Sequence, residues 1–141
     1  MPNNSLNFAG WRRENFTAME LADPLIGGAL ADLDGDGIAT LMEFALGLDP
    51  NLHDAPAVLP TGGTVNLAGD DYMTMSFRRL KLGCDVTYRA MVSPDLRDWT
   101  EMTMAVGTPV DNSDGTETVI MRDLLKTKDA ARRFMRLEVE R

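Results

Sequence analysis

Two hydrophobic periods divide the chain near residue 55. In the first part apolar residues recur at helical spacing. Phe8, Trp11 and Phe16, with Asn15 in the same stretch, predict a short amphipathic helix that turns its three aromatics inward. Thr17-Ala18-Met19-Glu20 has the capping-box pattern, which starts a new helical turn after Thr17. Asp23-Pro24 and Gly27-Gly28 end that turn. Another helix is predicted over roughly residues 39–46, with Leu41, Phe44 and Ala45 on one face. Gly47 suits the left-handed position after its end, and Pro50 prevents continuation. Residues 51–63 form a Pro/Gly-containing connector. Beyond it the period becomes two. Residues 72–78, 86–92, 117–122 and 134–140 alternate as strands do, and 64–67 and 99–104 bring the strand count to about six. Asp111-Asn112-Ser113-Asp114-Gly115 separates two strand candidates and reads as a turn, with a second metal site as its alternative.

Charge changes this picture in one place. The formal net charge is −8, and residues 1–56 carry −7 of it, from nine acids against Arg12 and Arg13. An acidic chain repels phosphate backbones, which excludes nucleic acid as a partner. No apolar run approaches the ~20 residues of a membrane span. The first residues, MPNNSLNFAG, show no basic stretch followed by an apolar one, so no signal peptide is visible. The single cysteine, Cys84, excludes an internal disulfide and reads as a small buried hydrophobe. The single histidine, His53, has no nucleophile or second base near it in sequence, and a non-enzymatic role is expected.

The local acidity has a pattern. Residues 32–43 read DLDGDGIATLME. Asp32, Asp34 and Asp36 stand at positions one, three and five of a twelve-residue loop, Gly37 at six and Glu43 at twelve. This is the D-x-D-x-D-G-x5-E spacing of an EF-hand-type calcium loop. Calcium takes six to eight oxygens at ~2.3–2.6 Å. Three closely spaced carboxylates supply one side of that shell and a bidentate glutamate the other. The Ile38 carbonyl at position seven and Thr40 at position nine, directly or through water, complete it. A solvated Asp/Gly-rich turn is the plain alternative. The segment before the loop, DPLIGGALA, is a poor helix because of its paired glycines, and no second D-x-D-x-D-G loop exists. A loop with an exit helix only is expected, as in dockerin-like or thrombospondin-repeat-like sites, rather than a regulatory pair of EF-hands.

The expected fold class is therefore α+β. Short N-terminal helices with one EF-hand-like calcium loop pack on an antiparallel β-sandwich or open barrel of about six strands. Residues 1–55 form the helical segment and 56–141 the β domain, joined in one compact unit. In the second part, Trp99 ends a polar turn, Ser93-Pro94-Asp95-Leu96-Arg97-Asp98. It is expected to plug an end of the sandwich, with stacking on a sugar ring as the alternative. Arg132 and Arg133 are expected to form a solvated edge, with a grip on a carboxylate or phosphate as the alternative.

Several segments taken together carry a resemblance. FAGWRRENFTAMELADP, DLDGDGIATLMEFALGLDP, MSFRRL, VTYRAMVSPDLRDWTE, DGTETVIMRD and ARRFMRLEVE resemble a C-terminal module of large exported proteins of Verrucomicrobia and related bacteria. In that family a Trp-containing helix precedes a D-x-D-G-D-G-L-x-N-L-x-E-Y-A-L-G-x-D-P stretch, and a β-rich tail with an S-x-D-L-x-x-W turn follows. Asp32, Asp34, Asp36 and Glu43 match its calcium-type positions, while Thr40 stands where Asn is usual. The resemblance implies export, an extracellular or cell-envelope location, and attachment to a variable parent protein. It supplies no activity. A calcium-stabilised structural or interaction module, with a protein or cell-envelope partner, is the expectation. A carbohydrate-binding module and a free-standing gene-cassette protein are the alternatives.

Overall fold

The computed structural model describes residues 7–32, 34–35, 37–49, 51, 59–81 and 85–141. Asp36, His53 and Cys84 lie outside the described residues. Among the described residues four short α-helices are followed by eight antiparallel strands in two sheets, the expected α+β class.

Helix α1 (Phe8–Asn15) starts where the Asn7 side chain accepts from the Gly10 amide, 2.7 Å. Its helical spacing puts Phe8 and Trp11 on the buried side, and Phe16, just past its end, is buried with them. Helix α2 (Ala18–Ala22) carries the capping box: Thr17 Oγ1 accepts from the Glu20 amide and Glu20 Oε1 from the Thr17 amide. Helix α3 (Pro24–Gly27) is a single turn, as the paired glycines require. Arg12 reaches across from α1 and donates to the Gly27 carbonyl, 2.7 Å, which fixes the incoming segment.

Helix α4 (Thr40–Leu46) ends at Gly47, whose φ is +72°. The Gly47 and Leu48 amides donate back to the Phe44 and Glu43 carbonyls, the Schellman arrangement. A Cβ at Gly47 would also stand 2.5 Å from Thr116 Cγ2. Gly47→Ala is therefore expected to cost about 1–2 kcal/mol from backbone strain, plus the clash. Gly69→Ala, at φ +90° with nothing within 4 Å, isolates the strain alone. Urea midpoints of the two variants check this, and equal midpoints would refute the clash.

The strands are β1 (Thr61–Leu67), β2 (Asp70–Leu80), β3 (Thr87–Ser93), β4 (Thr100–Glu101), β5 (Met104–Ala105), β6 (Val110–Asp111), β7 (Thr116–Lys126) and β8 (Phe134–Glu140). One sheet runs β1-β2-β7, with β5 and β6 both on the far edge of β7; the other runs β4-β3-β8. Register follows from the alternation. Met75 sits opposite Met121 and Phe77 opposite Val119 in one sheet, and Ala90 opposite Leu137 and Val92 opposite Met135 in the other. These residues, with Met102, meet as the core between the sheets.

A second cluster joins the helices to this sandwich. Phe8, Trp11, Phe16, Phe44, Ala45 and Val86 form it, with Leu80, Tyr88 and Val139 of the strands against them. Each buried aromatic here removes enough apolar surface to contribute about 2–3 kcal/mol. Tyr88 touches both clusters. Its hydroxyl donates to the Ala45 carbonyl, 2.5 Å, and accepts from the Leu80 amide, 3.2 Å. At the other end of the joint the Phe8 amide donates to Asp85, 2.9 Å.

Two expectations need correction. Arg133 is not part of a solvated edge. Its guanidinium forks onto Asp123, which is 1 % exposed, through bonds of 2.6 and 2.7 Å. Arg132 does remain exposed. Trp99 is half-buried and belongs to neither core cluster; the Arg136 guanidinium lies 4.0 Å over its ring. The 111–115 turn closes the β6–β7 hairpin as expected. There Asp111 pairs with Lys81 and Asp114 with Arg78, so opposite charges already answer both carboxylates. Among the described residues no helix is long and apolar enough to cross a membrane.

Candidate metal centre

Backbone and side-chain hydrogen bonds together shape the loop between α3 and α4. Thr40 donates both its amide and its hydroxyl to the Ala31 carbonyl, 2.8 and 2.9 Å, and the Leu41 amide donates to Ala29, 3.0 Å. These bonds tie the outgoing chain to the incoming chain and close the neck of the loop. Inside it, Asp32 accepts from the Gly35 amide through Oδ1, 2.9 Å, and from the Gly37 amide through Oδ2, 2.8 Å. Gly37 has φ +88°, the left-handed region that glycine enters without strain and that a tight loop needs here.

The result is convergence. Asp32, Asp34 and Glu43 each offer a carboxylate oxygen, and these oxygens lie within 4.8 Å of one another. Asp32 is exposed, Asp34 half-buried, and Glu43, in the first turn of α4, only 1 % exposed. Two oxygens that share an ion at ~2.3–2.6 Å stand at most about 5 Å apart, so the spacing fits a hard oxygen-seeking cation. Three carboxylates this close repel one another while charged, and burial of one sharpens the cost.

The other sequence candidates divide. Ile38 buries its side chain, at 6 % exposure, within the loop. Thr40, 1 % exposed, spends its hydroxyl proton on the neck of the loop. Trp99 stands apart, in the turn before β4. Trp99 and the two tyrosines of the β part are engaged within the fold. Trp99 lies under Arg136, Tyr72 lies under Arg122 at 4.3 Å, and Tyr88 bridges the two cores. Sequence reading missed the Ala31 carbonyl as the clamp of the neck, because a backbone acceptor carries no side-chain signal. No family model, curated protein or solved structure matches this chain.

Proposed function

We propose that the chain is a non-enzymatic calcium-binding module, stabilised by the ion it holds, within an exported bacterial protein. The observation that carries this reading is the meeting of Asp32, Asp34 and Glu43 at one point, with Glu43 buried. Asp32, Asp34 and Glu43 would hold the ion, with Asp36, the Ile38 carbonyl and Thr40 as the remaining ligands of the motif. The donor set is all oxygen, which suits calcium and not the softer transition metals. The ion supplies charge neutralisation; the chain supplies a loop already closed by the Thr40–Ala31 bonds. Export, an extracellular or cell-envelope setting and a protein partner there rest on the resemblance to the Verrucomicrobia-type module.

Calorimetric titration of the metal-free protein with calcium tests the site. One ion per chain is expected, and Asp34→Asn is expected to weaken binding by a factor of ten or more, about 1.4 kcal/mol or above. Absence of binding heat at millimolar calcium, together with unchanged melting, would remove the reading.

A further inference from the structure

We infer that β8 is a self-complementary edge through which two copies of this chain pair. Among the described residues β8 is bonded on one side only, to β3, and ends its sheet. Its inward residues Met135, Leu137 and Val139 pack on the cores yet stay half-exposed. Two open grooves follow the strand. One, of about 270 Å³, runs beside Met135 and Leu137 and is walled by Pro60, Thr61, Met73 and Met75. The other, of about 360 Å³, runs beside Val139 and is walled by Leu30, Leu41 and Met42; Leu30 is 90 % exposed. An edge with apolar grooves along it is a template for another strand.

Charge along β8 selects the occupant. The strand reads Phe134-Met135-Arg136-Leu137-Glu138-Val139-Glu140. In an antiparallel pair centred on Leu137, Arg136 of each copy stands opposite Glu138 of the other. Met135 then stands opposite Val139, and Phe134 opposite Glu140. Moving the centre to Arg136 sets two arginines face to face, and moving it to Glu138 sets two glutamates face to face, both unfavourable. A shift of the pairing by a single residue turns the apolar set to the wrong face of the partner sheet. The Leu137 centre alone gives two opposite-charge pairs and no like-charge pair. The same strand on both partners is the isologous contact of a two-fold dimer. Within one copy Arg136 bonds Glu138 on the same face, and in the dimer the two exchange partners across the two-fold. In the dimer the β4-β3-β8 sheet continues into its mate, and each Val139 lies beside the methionine-lined groove of the other copy. A seven-residue strand is a small interface, so the dimer is micromolar rather than nanomolar.

Sedimentation velocity over a concentration series tests this on the full chain. Wild type is expected to move from monomer to dimer below about 1 mM. Glu138→Arg places arginine opposite Arg136 in both pairs and keeps Arg136 itself; it is expected to weaken the dimer about tenfold or more. Arg136→Glu combined with Glu138→Arg reverses both pairs and is expected to restore the dimer. Thermal melting shows that each variant is folded; if the double variant melts early, Arg136→Lys, which keeps the charge and the dimer, replaces it as the positive arm. A chain that stays monomeric throughout overturns the proposal. So does a dimer indifferent to Glu138→Arg, or one that a folded charge-reversed variant fails to restore.

Discussion

Arg133→Ala is expected to lower unfolding free energy by about 3–5 kcal/mol. The reason is what remains behind. Asp123 is 1 % exposed, and without the guanidinium its carboxylate stays buried with its counter-charge gone. Arg133→Lys keeps the charge but loses the two-pronged geometry, and an intermediate loss is expected. Acid unfolding adds a second reading of the same pair. Burial pushes the Asp123 carboxyl up, but the Arg133 hydrogen bonds, the Leu125 and Leu124 amides and the Arg133 charge outweigh it, leaving it below the usual range. The stabilisation from ionised Asp123 is therefore complete above the unfolded value of ~3.9 and is lost as pH falls through the lower folded value. Removing Arg133 leaves burial as the dominant influence and reverses the sign: the folded carboxyl moves up, and this group then costs stability as pH rises past ~4. Urea unfolding from pH 3 to 7 on both proteins separates the cases. Parallel pH profiles would mean that the pair is not what holds Asp123 charged.

Chelation is the second large effect. Melting temperature is expected to fall on addition of EGTA, because an ion bound only to the folded state stabilises it by RT ln(1 + [Ca]/Kd). At a hundredfold excess over Kd this is about 2.7 kcal/mol, roughly 10 °C for a chain of this size. Glu43→Gln makes the test sharper because two opposite effects appear in one variant. Removing one charge from three carboxylates within 4.8 Å relieves their repulsion, so the metal-free variant is expected to melt above metal-free wild type. The same change removes the ligand proposed at position twelve, so its response to calcium is expected to vanish. Wild type that melts identically in calcium and in EGTA would count decisively against the site.

The effect of calcium is expected to reach the sandwich through α4. Its first turn carries Glu43 toward the loop, and its Ala45 carbonyl receives the Tyr88 hydroxyl from β3. Glu43 and Ala45 stand two positions apart in this seven-residue helix, so the candidate site and the joint share one rigid element. Loss of order in the loop therefore loosens the docking of α1 and α4, and with it the burial of Phe8, Trp11 and Phe44.

Features that a few neighbouring residues decide were legible in the sequence. The Thr17–Glu20 box closes within one turn of chain, and the Gly47 cap depends on one glycine that can enter the left-handed region. Strands β2, β3, β7 and β8 declare themselves because side-chain direction alternates along a strand whatever it pairs with. The convergence of Asp32, Asp34 and Glu43 belongs with these, since a twelve-residue loop brings its own ends together.

What the tertiary structure alone decided is partnership across distance. Arg133 is a surface arginine by composition and becomes a buried ligand of Asp123 only because β7 and the segment before β8 come side by side. Trp99 carries the Arg136 guanidinium of β8 on one face, a contact between positions far apart in the chain. The one strand expected over 99–104 divides into β4, paired with β3, and the start of β5, paired with β7; two-residue strands such as these and β6 are defined by their pairings. Alternation fixes which face of a strand is apolar, but the strand that lies beside it is set by the packing of the whole chain, a choice no single stretch of residues contains.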